Sequence, residues 1–308
     1  MCVSAAPARF ADTILYHGRV RRPEHGLVHV LGYQNVAANH ATGPNAMLLH
    51  LPGVGMTQDN FVDTSGARHI LRNMVHALDP PTRSYGAAPG GAPAGGAPPP
   101  VQVFEHDIYT VVLATDASLI PDALRLVPEH RRIPVNRPLF DFYARSYPGH
   151  AIALCCFDNR DAVRSDPLLL WYVPRHPDRL ELPAVDCHTG GVPQIGAPVW
   201  TDHWVILGTD EPVPASGAWR SSPPLVWLEA ERQSPAAPFL PRAVVGRTYR
   251  GSFPNGDFMI SQADLMAGRM EAMSRVGPGG EPLGPFPPRP APPSYDPPRR
   301  RHRWPFGR

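Results

Sequence analysis

The sequence predicts an α+β fold, a stacked or covered β-sheet core with flanking helices. Three observations carry this. Runs such as IALCCF and LLLWYV are apolar without alternation, the pattern of strands buried on both faces. Apolar residues at helical spacing appear in only a few short stretches. The segments follow the order strands, helix, strands, two helices, strands, helix, not a regular strand–helix alternation. No G-x-G-x-x-G follows a strand, which argues against a dinucleotide-binding domain.

Taken in order, TILYHGRV and LVHVLGYQNV are β-rich and bounded by Pro and Gly, so they read as a hairpin across RRPEHG. NAMLLHLP is a third strand. Asp63-Thr64-Ser65 can cap a helix over 67–78, with Ile70, Leu71, Met74, Val75 and Leu78 on one face. VQVFEH and IYTVVLAT follow as strands, then short helices near 121–127 and 138–147. HAIALCCFD, PLLLWYVP, HWVILGT and PLVWLEAE read as strands. Asn255-Gly256 reads as a hairpin turn, and Ser261 as the cap of a last helix through about 275. His17, His29 and His50 each lie inside an apolar strand, where a hydrogen-bonded structural role fits best.

Two segments have little to bury. DPPTRSYGAAPGGAPAGGAPPP, residues 79–100, reads as a flexible insertion, and 277–308, with eleven prolines, as a disordered Pro/Arg-rich tail. The body is then a single α+β domain, 1–276. All 29 basic residues are arginine. The lack of lysine excludes P-loop, kinase and lysine Schiff-base chemistry of the usual kind. Net charge is +2, with six arginines against one acid, Asp296, in 282–308. The body is therefore mildly acidic, and no body-wide nucleic-acid surface is expected. No apolar run reaches the roughly 18 residues that span a bilayer. Four cysteines, two of them adjacent, make no secreted disulfide framework, so a reducing, cytoplasmic setting is expected.

The chain opens Met-Cys-Val. With Met1 removed, Cys2 would carry a thiol and an α-amine of pKa about 7.7–8.0, nucleophile and base in one residue. This start resembles the cysteine-type N-terminal-nucleophile hydrolases, the bile-salt hydrolase and penicillin V acylase group. The resemblance implies an αββα sandwich and cleavage of a small-molecule amide substrate without a cofactor. It implies Cys2 as nucleophile, Arg19 beside it and Asn159 as oxyanion donor. The acid that the family places after this arginine is absent, since the chain continues Val20-Arg21-Arg22. A small residue of no catalytic role at position 2 is the plainer alternative.

AVDCHTGG gives a second constellation, Asp186, Cys187 and His188, in which imidazole would take the thiol proton. Neighbours on a strand point apart, however. With Asp202 and His203 these residues also suggest metal ligands, but no helical i, i+4 pair or C-x-x-C supports it, and no metal is expected. Asn45 and Asn60 suit either an amide-bearing ligand or a turn.

In the tail, Pro292-Pro293-Ser294-Tyr295 resembles the PPxY ligand of WW domains. Proline fixes the extended helix in advance, and tyrosine supplies an apolar plate. The sequence thus offers two functions. One is a cysteine amidohydrolase. The other is a non-enzymatic α+β interaction module that docks a WW-domain or anionic partner through its tail.

Overall fold

The computed structural model describes residues 3–79 and 99–284. A short strand β1 (Val3–Ser4) leads into the long hairpin β2 (Ala8–Arg22) and β3 (Gly26–Asn39). Gly26 closes its turn at φ +70°, a conformation that costs glycine least. Strands β4 (Asn45–Leu51), β5 (Gly53–Val54) and β6 (Phe61–Val62) follow, then helix α1 (Ile70–Leu78). After the described chain resumes come β7 (Val101–His106) and β8 (Tyr109–Ala114), then α2 (Ile120–Ala123) and α3 (Arg137–Ser146). Helix α3 begins where the Asn136 side chain accepts the Leu139 N–H, with Pro138 in its first turn.

The second half opens with β9 (Ala151–Phe157), β10 (Val163–Arg164), β11 (Leu168–Pro174) and β12 (Arg179–Leu182). Strand β13 (Pro198–Thr209), β14 (Arg220–Ser221) and α4 (Glu229–Gln233) come next. The described chain closes with β15 (Ala243–Pro254), β16 (Asp257–Ser261), α5 (Gln262–Met266) and β17 (Ser274–Val276).

These elements stack in four layers. A five-stranded antiparallel sheet, β1-β4-β9-β8-β7, faces a nine-stranded sheet whose main path is β14-β15-β13-β2-β3-β11-β5. The period-2 alternation of each strand divides its side chains between layers. On β9, Ala151, Ala153, Cys155 and Phe157 enter the core between the sheets, while Ile152, Leu154 and Cys156 pack beneath α2 and α3. On β2, Leu15 points inward and Ile14 and Tyr16 point out under α1, beside Ile70, Leu71 and Met74. The central strands are thus apolar on two faces, which is why β9 and β11 read as unbroken apolar runs. The small sheet β12-β16-β17 adds Leu180, Leu182, Phe258 and Ile260 to the same inter-sheet core.

A buried charge joins the layers. Asp257 on β16 accepts from His50 Nε2 at 2.8 Å and the Tyr147 hydroxyl at 3.1 Å. It also accepts from the N–H groups of Ala184 and Val185, at 2.6 and 3.2 Å. Burial alone would raise its pKa. The His50 partner and these donors outweigh burial and hold it below the usual carboxylate range. His50 also stacks on Tyr147 with ring centres 3.7 Å apart.

Some sequence expectations differ from the structure. PLVWLEAE is not a strand. Pro223-Pro224 deny it a ladder, and Glu231 turns the run into α4 by accepting the Leu228 N–H. The helix capped by Ser261 ends at Met266, and Gly268 at φ +70° redirects the chain into β17. Asn255-Gly256 does not close a hairpin, because β15 pairs with β13 while β16 pairs with β12 and β17. Most of 79–100 and of 277–308 lies outside the described residues. Residues 277–284 belong to the folded body. Gly277 N–H donates to Glu281 C=O and Leu283 N–H to Arg275 C=O, turning the segment back on β17.

Candidate functional site

The site follows from one irregularity in the nine-stranded sheet. Strands β2 and β13 run parallel, but they pair only over Thr13–His17 with His203–Leu207. At the fork, β2 bulges between Ala11 and Ile14, and Asp12 takes φ +51°, which is rare for a side-chain-bearing residue. Beyond it the strands part. The start of β2 stays with β3 (Ala8↔Asn39 to Ala11↔Val36), and the start of β13 stays with β15 (Pro198↔Pro254 to Asp202↔Arg250).

The gap is a cleft of about 620 Å³. One wall carries Phe10 and the other Trp200, which is 68% exposed. The floor is the segment 186–188, tied to the chain start by a Val3–Cys187 bridge and by the Ala8 N–H donating to His188 C=O at 3.1 Å. Asn255 fixes it from behind, accepting the Asp186 N–H and donating to the Asp186 C=O, both at 2.8 Å.

Asp186, Cys187 and His188 are therefore together, but not as a triad. His188 Nε2 sits 2.9 Å from Asp186 Oδ1, and its ring lies against Phe10. Cys187 Sγ points elsewhere, to Thr189 Oγ1 and the Gly191 carbonyl, each at 3.4 Å. Strand alternation separates thiol from imidazole. Burial would raise the Asp186 pKa, and the hydrogen bond from His188 brings it below the usual range. His203, at the fork, is pushed well down, chiefly by burial. Among the described residues no group of His, Cys, Asp and Glu is arranged to hold a metal ion.

Asp12 and Asp202 also line a second cavity, of about 330 Å³, beside α1. Arg164 pairs with Asp12 at 2.6 Å and Arg250 with Asp202 at 2.9 Å. Sequence reading singled out neither Phe10, Trp200 nor these arginines. The alternation in PVWTDHW puts Trp200, Asp202 and Trp204 on one face, but the sequence does not show that α1 leaves that face open.

The other sequence candidates lie apart. Arg19 is eleven residues along β2 from its start, roughly 35 Å at the rise of an extended chain. There it faces Asp178 at 3.7 Å. Asn159 lies beyond β3, its carbonyl accepting the Asn39 N–H at 2.7 Å. Asn45 is spent on the 6–7 turn and Asn60 caps a short turn with Thr57. His17 and His29 share a buried 3.0 Å contact and bond the carbonyls of Glu181 and Pro177. Cys2 and the Pro292, Pro293 and Tyr295 motif lie outside the described residues. So does the rest of the segment 285–308.

No family model matches this chain, and no curated protein matches it. Among solved structures it is similar to baculovirus P35 (12% identity, 86% of this chain and 92% of that one, TM-score 0.40). It is also similar to a mutated baculovirus P35 after caspase cleavage (11% identity, 82% and 97%, TM-score 0.41), and to a second such structure (12%, 82% and 91%, TM-score 0.37). These neighbours are not N-terminal-nucleophile hydrolases. Arg19 lies at the far end of β2 from the chain start. The cysteine amidohydrolase expected from the Met-Cys start, with Cys2, Arg19 and Asn159 as its machinery, is corrected on the position of Arg19. Among the described residues no helix is long and apolar enough to cross a membrane.

Proposed function

We propose that this chain is a non-enzymatic interaction module that engages a partner protein at the cleft between β2 and β13, accepting an extended segment of it as an added strand. The supporting observation is the splay itself. Phe10–Asp12 and Val199–Asp202 face each other across the cleft without pairing to one another. Unpaired strand edges recruit extended peptide by main-chain hydrogen bonds, while side-chain pockets supply selectivity. Phe10 and Trp200 are the apolar anchors, and aromatic residues in pockets dominate such interfaces.

The test is a pulldown by the full-length chain in three forms: wild type, Trp200→Ala and, as control, Val226→Ala, whose side chain is exposed and lines neither cavity. A panel of purified partners is offered, with a caspase among them as the enzyme named in two of the neighbours' titles. A partner lost in W200A and kept in V226A supports the cleft. A partner held equally by all three removes it. The Pro292-Pro293-Ser294-Tyr295 segment offers a separate contact, for a WW domain, and Tyr295→Ala should abolish that contact alone.

A further inference from the structure

The second cavity suggests what kind of segment the cleft accepts. It lies between α1 and the outer face of β13 and β15, and it shares Asp12 and Asp202 with the cleft as lining residues. Three guanidinium groups converge on it, from Arg72, Arg164 and Arg250. Among the described residues two lining carboxylates answer them. Asp12 takes Arg164 at 2.6 Å, and Asp202 accepts both Nη2 and Nε of Arg250, at 2.9 and 3.2 Å. Arg72, on the half-buried flank of α1, makes no ion pair among the described residues. Its field is felt by His76 one turn on, whose pKa is lowered by burial and then by Arg72. Trp204 adds an aromatic wall to the same space.

Extended chain repeats its side-chain direction about every 6.8 Å, two residues at a rise near 3.4 Å. A strand laid along Phe10–Asp12 ends where β2 and β13 close at Thr13 and His203, and the chain beyond it would leave the sheet over the Asp12 and Asp202 pairs, toward the cavity that Arg72 lines. A carboxylate arriving there completes the charge pairing. Arginine suits it, because its planar donors match a carboxylate in two-point contact. Resting on the strand-accepting cleft proposed above, we propose that the partner segment is acidic: an extended peptide that places an aspartate or glutamate against Arg72 while its backbone occupies the cleft.

The experiment uses the full-length chain and two sets of labelled decapeptides of alternating threonine and valine. One set carries a single aspartate at each position in turn, and the other carries asparagine instead. Fluorescence anisotropy at low salt reads binding. The best aspartate peptide should bind about tenfold more tightly than its asparagine twin, the worth of one charge-assisted hydrogen bond at a half-buried site. Arg72→Gln should erase that difference, while Arg72→Lys keeps part of it. Rising salt should narrow it. Equal binding of the two sets, or a preference that survives R72Q, overturns the acidic partner and leaves the cleft standing. If neither set binds wild type, the strand-accepting cleft falls, and this inference with it.

Discussion

Two histidine–aspartate pairs of nearly equal length do different things in this molecule. His50–Asp257, at 2.8 Å, is 5% and 8% exposed, and its carboxylate gathers four donors from three parts of the chain. His188–Asp186, at 2.9 Å, is 31% and 11% exposed and opens on a cleft. The chemistry is the same, and the surroundings assign the role. A carboxylate saturated with donors in a dry core has nothing left for a ligand. One at the floor of an open cleft keeps a face to solvent. The spacing between partners says little about function, and the fate of the remaining lone pairs says more.

The contrast can be broken at several points. Asp257→Ala should do the most damage, since it leaves an imidazole, a hydroxyl and two backbone N–H groups without their acceptor. A loss of about 3–5 kcal/mol in denaturant unfolding is expected. Asp257→Ala matching Asp186→Ala would erase the distinction.

Acid tests the same contrast by another route. Burial holds His29 down at about 4, against about 6.5 unfolded. The unfolded chain therefore binds more protons between those values, and stability must fall as pH drops from 6.5 toward 4. His29 alone should remove about 2–3 kcal/mol over that window. Both aspartates are held low, so their pairs should weaken only at still lower pH. Thermal melts from pH 8 to pH 3 should show two stages. In His29→Gln the first should shrink.

Asp186→Ala should cost about 1 kcal/mol, because Asn255 holds the segment by its backbone and not by the lost carboxylate. Thiol reactivity is a finer probe. Cys155 and Cys156 are fully buried, and burial pushes the Cys156 thiol up to about 12, whereas Cys187 is half-exposed at the cleft. Mass mapping after alkylation should find Cys187 labelled in the native protein, and Cys155 and Cys156 only after unfolding. The smallest effect on stability belongs to Trp200→Ala. Its melt should lie within about 0.5 kcal/mol of wild type, although partner binding is lost.

The layered α+β body was legible because its strands announce burial on both faces. IALCCF divides between two cores as alternation requires, and His50 is the hydrogen-bonded structural residue that its apolar surroundings imply. Strand β15 was not legible, because VVGRTYRGSF is interrupted by Gly246 and Gly251 and carries Arg247 and Arg250, which leaves no sustained apolar run. The site was half legible. Asp186, Cys187 and His188 stood out as a cluster of reactive types, yet only the structure shows the thiol turned from the imidazole. The Met-Cys start pointed at chemistry that Arg19 cannot join, since an extended strand carries it away. The cleft itself depends on where two strands far apart in sequence stop pairing, and no local pattern encodes that.

That parallel ladder has a kinetic consequence. Thr13 and His203 stand about 190 positions apart, so joining them closes a very long loop, and contacts of that separation slow folding. Until β13 arrives, the whole flank of β2 is available to any other extended chain. Refolding from denaturant should therefore be slow and concentration-sensitive, with intermolecular pairing along β2 as its main failure.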